Sequence, residues 1–163
     1  MFQPDRLLKA LRDAQAIYVV VGGFAAVAQG ATYMTSDLDV CYQRDDGNHQ
    51  RIAAAIQPLK PSLRNAPIGL PFKFDARTLN AGLNFTLSTD AGDVDFLGEI
   101  SGLGDYAAVK SAAEPRELFG HTVFVLTLEG LIVAKQAAGR TKDLLHLSEL
   151  RALQALRGKS EQP

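Results

Sequence analysis

The sequence predicts an α+β fold: a mixed β-sheet packed by helices, with helices closing the chain. Three observations carry this expectation. Short β-branched or alternating runs recur near residues 17–21, 37–42, 83–97 and 122–126. Helical spacing or capping signals separate them, and two leucine-bearing helical stretches follow one another after Thr127.

Residues 4–14 set Leu7, Leu8 and Leu11 at helical spacing behind Pro4, which a first turn tolerates. Residues 17–21 are rich in β-branched side chains and end at Gly22 and Gly23, which predicts a buried strand. A compact helix is expected over 24–29, stopped by Gly30. Asp37 to Tyr42 alternates, so Asp37, Asp39 and Cys41 share one strand face while Leu38, Val40 and Tyr42 share the other.

A polar turn over 44–48 leads to a helix over 49–59, which stops before Pro61. Residues 60–73, broken by Pro61, Pro67, Gly69 and Pro71, predict a long loop. Leu83, Phe85 and Leu87 alternate with polar neighbours, the chain turns at 90–93, and 94–97 returns as the second arm of a hairpin. Residues 98–117 have no clear period and predict loop and short helix.

A strand over 122–126 follows, then Thr127 as N-cap of a helix through Ala138 that Gly139 stops. A final helix over about 142–156 carries Leu144, Leu147, Leu150 and Leu153. This order suits a mixed sheet covered by helices on one side.

The length of 163 residues suits one domain, with a core over about 15–126 and a C-terminal helical part over about 127–157. At 47% hydrophobic and 21% charged, the composition excludes a disordered chain. A formal charge of −1 excludes a general attraction for nucleic acid or an anionic membrane, so such a partner would need a local patch. Cys41 is the only cysteine, which rules out an intrachain disulfide and a cysteine-based zinc cage. The N-terminus lacks a signal-peptide pattern and no long apolar run occurs, so a cytoplasmic protein without membrane association is expected.

Asp37 and Asp39 on one strand face repel each other, so a positive partner is expected between them. Mg²⁺ suits them better than Zn²⁺, because His49, His121 and His146 have no metal-ligand spacing. A second alternating pair, Asp93 and Asp95, precedes an apolar run, and either could join the first pair from a neighbouring strand. Three such acids can hold two metal ions about 3.5–4 Å apart, the arrangement that clamps both oxygens of a phosphoryl displacement. Gly22 and Gly23, at the start of a helix, offer backbone amides to phosphate.

The double glycine, the short helix, Thr35 to Asp39 reading TSDLD, and a later DVDFL resemble the nucleotidyltransferase superfamily that includes DNA polymerase beta. The tail TLEGLIVAKQAAGRTKDLLHL is similar to the AbiEii/MenT-type toxin nucleotidyltransferases. The likeness covers roughly residues 17–147.

It implies a polymerase beta-like core followed by C-terminal helices. Gly22, Gly23 and Ser36 are then expected to hold NTP phosphates, and Asp37, Asp39 and Asp95 to bind Mg²⁺, two ions in all. Asp95 also becomes the base toward an acceptor hydroxyl. Lys135 is expected to neutralise the triphosphate, with Lys142 and Asp143 also at the nucleotide. The implied reaction moves a nucleoside monophosphate to a tRNA, protein or small-molecule acceptor with release of pyrophosphate. The same likeness allows a catalytically silent partner, such as the antitoxin half of a toxin–antitoxin pair.

Two rival readings fit less well. A dinucleotide-binding fold needs G-x-G-x-x-G, which GGFAAVAQG lacks. A haloacid-dehalogenase-type phosphatase needs an apolar strand before its first aspartate, and Asp37 follows TYMTS.

Overall fold

The protein is described over residues 1–161 by a computed structural model. Helix α1 (Pro4–Asp13) buries Leu7, Leu8 and Leu11, the spacing that predicted it. Strand β1 (Tyr18–Val21) runs directly into α2 (Gly22–Ala28), and β2 (Asp37–Tyr42) follows. The sequence placed the start of α2 at Phe24, but both glycines lie within its first turn.

Helix α3 (Asp46–Ile56) begins three residues before the expected start, because the Asp45 carboxylate accepts the Asn48 amide and caps it. A 3-10 turn (Gln57–Leu59) then leads to a two-residue strand β3 (Ser62–Leu63), inside the stretch expected to be loop. Helix α4 (Ala76–Ala81), which no sequence pattern predicts, is capped by Asp75 accepting from the Thr78 amide.

The expected hairpin forms from β4 (Phe85–Thr89) and β5 (Gly92–Leu97), with Asp93 inside the strand and not in the turn. A small hairpin of β6 (Glu99–Ile100) and β7 (Gly104–Asp105) precedes α5 (Tyr106–Ser111). Residues 98–117 also contain a strand that periodicity missed, β8 (Ala113–Leu118), which pairs antiparallel with β9 (His121–Leu126). Helix α6 (Leu128–Ala138) is capped by Thr127 and ends at Gly139 in the left-handed conformation, as expected. Helix α7 (Thr141–Ser160) closes the chain, burying Leu147 and Leu150 while Leu144 faces solvent.

Seven strands form one mixed sheet in the order β3-β4-β5-β2-β1-β9-β8. The pairs β2–β5 and β1–β9 are parallel and the rest antiparallel. Successive residues Val19, Val20 and Val21 of β1 are all buried, so the sheet centre is covered on both faces and not on one side as expected.

The apolar face of β2 packs into an aromatic cluster. Tyr42 meets Phe96 edge-on at 6.2 Å, and Phe74 lies 5.6 Å from Phe96. Burial of each such side chain stabilises the fold by roughly 1.5–3 kcal/mol, and it fixes which way β2 faces. Its other face carries the buried Cys41 and, toward the start of the strand, the carboxylates of Asp37 and Asp39. Among the described residues, no helix is long and apolar enough to cross a membrane.

Candidate active site

The parallel register of β2 and β5 sets Asp37 opposite Asp93 and Asp39 opposite Asp95. A strand points alternate side chains to one face, so these four carboxylates share a surface. Asp37, Asp39 and Asp95 each present an oxygen within 4.8 Å of the others. Asp93 stands apart from this trio: one oxygen accepts from Ser88 Oγ at 2.8 Å, and the other lies 3.1 Å from Arg64 Nε. The structure thus brings Asp95, not Asp93, to the pair on β2.

Gly22 has φ +65°, and a β-carbon there would lie 2.1 Å from Asp39 Oδ2. The absence of a side chain is what lets α2 begin against the acid strand. Beside it, a β-carbon on Gly23 would meet Thr35 Oγ1 at 3.0 Å. Thr35 Oγ1 in turn donates to Asp37 O at 3.1 Å. Among the described residues, no side chain caps the N-terminus of α2, and Gly22, Gly23 and Ser36 line the same cleft as the acids.

Burial, reinforced by the charges of Asp37 and Asp95, raises the Asp39 carboxyl well above the ordinary carboxylate range. Burial also raises Asp95, against the pull of the Arg64 guanidinium. Crowded carboxylates of this kind are stabilised by a cation. The trio offers only oxygen donors, which fits a hard divalent ion such as Mg²⁺ and not Zn²⁺.

The cation in direct contact with the acids is Arg64, inside the stretch expected to be loop. Its Nη2 donates to Asp95 Oδ1 at 2.8 Å, and Nη1 lies 3.9 Å from Asp37 Oδ2. No local pattern signals it, because Arg64 meets the acids only once β3 pairs with β4.

The cleft encloses about 550 Å³ and runs from the acids to the end of α6 and the start of α7. Lys135, Arg140 and Lys142 line that far end. Lys135 Nζ donates to Asp143 Oδ1 at 3.0 Å, and Arg140 Nε donates to Asp143 Oδ2 at 2.7 Å. Asp143 itself is 0% exposed. Burial pushes its carboxyl up, but the hydrogen bonds from Arg140 and Lys135 outweigh this and hold it at about 2. Asp143 therefore anchors two cations at the cleft wall, whereas Lys142 is exposed at the rim.

Tyr33 and His146 also line the cleft, their rings stacked at 3.9 Å and 8°. Among the described residues, neither Tyr33 Oη nor His146 Nδ1 has a hydrogen-bond partner. Sequence reasoning gave His146 no role, and no spacing links it to Tyr33.

No protein-family model matches the chain, and comparison with curated proteins finds no relative. Solved structures do share its architecture. A crystal structure of a candidate nucleotidyltransferase from Thermotoga maritima matches 100% of this chain and 97% of its own, at 18% identity and a TM-score of 0.53. ANT(2")-Ia, solved in complex with adenylyl-2"-tobramycin, matches over 95% of this chain and 92% of its own, at 13% identity and a TM-score of 0.56. These likenesses define the fold as that of the nucleotidyltransferases.

Proposed function

We propose that this chain of nucleotidyltransferase fold transfers a nucleoside monophosphate from an NTP to an acceptor hydroxyl. The observation that carries the proposal is the convergence of Asp37, Asp39 and Asp95 oxygens against the glycine start of α2. In this reading Asp37, Asp39 and Asp95 hold Mg²⁺, two ions in all, which supplies charge neutralisation at the phosphates when bound.

The chain's own residues carry the remaining work. Gly22 and Gly23 offer uncapped amides to the phosphates, and Ser36 lies beside them at the cleft wall. Lys135, which lines the same cleft and is held in direction by Asp143, neutralises the leaving pyrophosphate, and Lys142 adds charge at the rim. Asp95, half-buried beside Asp37 and Asp39, takes the proton of the acceptor hydroxyl. The acceptor oxygen then bonds to the α-phosphorus as the bond from that phosphorus to the bridging oxygen breaks, and pyrophosphate leaves.

The experiment is incubation with Mg²⁺, cell extract and an NTP labelled at either the α- or the γ-phosphate. Label on an acceptor from the α-position alone supports nucleotidyl transfer. Transfer from the γ-position means a kinase, and no transfer means a silent binding role such as that of an antitoxin. The size and chemistry of the labelled product distinguish tRNA, protein and small-molecule acceptors. The neighbour solved with an adenylylated tobramycin makes small molecules a natural first arm.

A further inference from the structure

Arg64 is the one cation that reaches the acid trio from the sheet's outer strands among the described residues. Its backbone amide donates to Thr86 O at 3.0 Å, continuing the β3–β4 pairing by one residue. From there the side chain crosses β4 toward β5 and β2. The path is open because β4 carries only Thr86 and Ser88 on that face, opposite Asp95 and Asp93.

Along the way the guanidinium is fixed at several points. Nη2 donates to both Leu87 O at 3.0 Å and Asp95 Oδ1 at 2.8 Å. Nε lies 3.1 Å from Asp93 Oδ2 as an ion pair without hydrogen-bond alignment. The side chain is only 21% exposed, so solvent screens it weakly.

We propose that Arg64 is the resident counter-ion of the acid cluster and opposes entry of a divalent cation at Asp37, Asp39 and Asp95. The inference rests on the cation reading of that trio given above. A guanidinium stays charged at every accessible pH, so its effect cannot be relieved by proton loss. Held on Asp95, it cancels part of the negative charge that an arriving cation would meet. Without a cation, it keeps four neighbouring carboxylates tolerable in one fold. Asp93 gives it a second anchor, so the arm can release Asp95 and remain on the sheet.

The test is titration of the full chain with Mn²⁺ alone, by calorimetry, for the native protein, Arg64→Gln and Arg64→Lys. Arg64→Gln should bind Mn²⁺ on the order of tenfold more tightly, and Arg64→Lys, which keeps the charge, should stay near the native value. In EDTA, Arg64→Gln should melt below the native protein, and added Mn²⁺ should close the gap. Unchanged or weaker Mn²⁺ binding by Arg64→Gln overturns the proposal, as does equal tightening by Arg64→Lys. A merely structural arginine would not tighten cation binding when removed.

If Arg64→Gln does not fold alone, Arg64→Gln combined with Asp93→Asn relieves repulsion and is compared with Asp93→Asn. Asp39→Asn separates the two levels. Mn²⁺ binding that survives Asp39→Asn sinks the cation reading of the trio. Binding lost in Asp39→Asn but unaltered in Arg64→Gln sinks the Arg64 inference alone.

Discussion

A β-carbon on Gly22 would stand 2.1 Å from Asp39 Oδ2, so the helix start and the acid strand fit together only because residue 22 is glycine. Gly22→Ala must either displace the carboxylate or shift α2, and it also strains a residue at φ +65°. We expect a stability loss of roughly 1–3 kcal/mol and about a hundredfold fall in α-label transfer. Urea unfolding and the transfer assay measure the two effects separately.

Asp39→Asn should separate stability from activity. The native carboxyl is half-buried beside two other acids, so its ionised form is costly without a cation. In EDTA the asparagine variant should melt higher, by about 2 °C or more, while label transfer is lost. A lower melting temperature in EDTA would contradict the repulsion inferred here.

Asp143 predicts an acid-dependent loss of stability. Its hydrogen bonds hold the folded-state carboxyl at about 2, below the ordinary aspartate value of 3.8, so its contribution is present above pH 4 and disappears as pH falls from about 4 toward 2. The stabilisation amounts to about 2 kcal/mol. In Asp143→Asn, the drop in stability between pH 4 and pH 2 should be smaller than in the native chain, as read from denaturant unfolding at each pH.

Lys135→Met and Asp143→Ala should differ in kind. Removing Asp143 leaves the 13%-exposed Lys135 ammonium without its partner, which should cost about 3 kcal/mol or more. Removing Lys135 leaves Asp143 paired with Arg140, so stability should fall less. If Lys135 serves the nucleotide, its loss should raise KM for the NTP on the order of tenfold.

Much of this was legible in the chain wherever a local rule was strong. Alternation over residues 37–42 gave both the extent of β2 and its carboxylate face. Thr127 and Gly139 marked both ends of α6 through cap chemistry that acts within a few residues. The missed elements lacked such rules. In β8, Pro115 and the charges around it argue against a strand, yet the segment is an edge strand completed by β9, where proline is tolerated. Helix α4 has a cap at Asp75 but spans only six residues, too short for a helical period.

The site divides in the same way. Asp37, Asp39, Gly22 and Gly23 stand out in the sequence because their pattern lies on consecutive elements, and the structure brings them to one cleft. The alternating residues alone left Asp93 and Asp95 open, and only the family resemblance pointed to Asp95; in the structure the side-chain positions put Asp95 with Asp37 and Asp39, while Asp93 accepts from Ser88 Oγ. Arg64 itself sits among prolines and glycines that speak only of a loop. Tyr33 and His146 stack because α7 folds back over the segment before β2, a contact that no sequence spacing encodes.

The most direct measurement is Mn²⁺ binding by the native chain, Asp39→Asn, Asp95→Asn and Asp93→Asn under identical conditions. The account predicts saturable binding in the native protein, its loss in Asp39→Asn and Asp95→Asn, and its retention in Asp93→Asn. A native chain that binds no Mn²⁺ at millimolar concentration, or an Asp95→Asn variant that binds like the native chain, would contradict it.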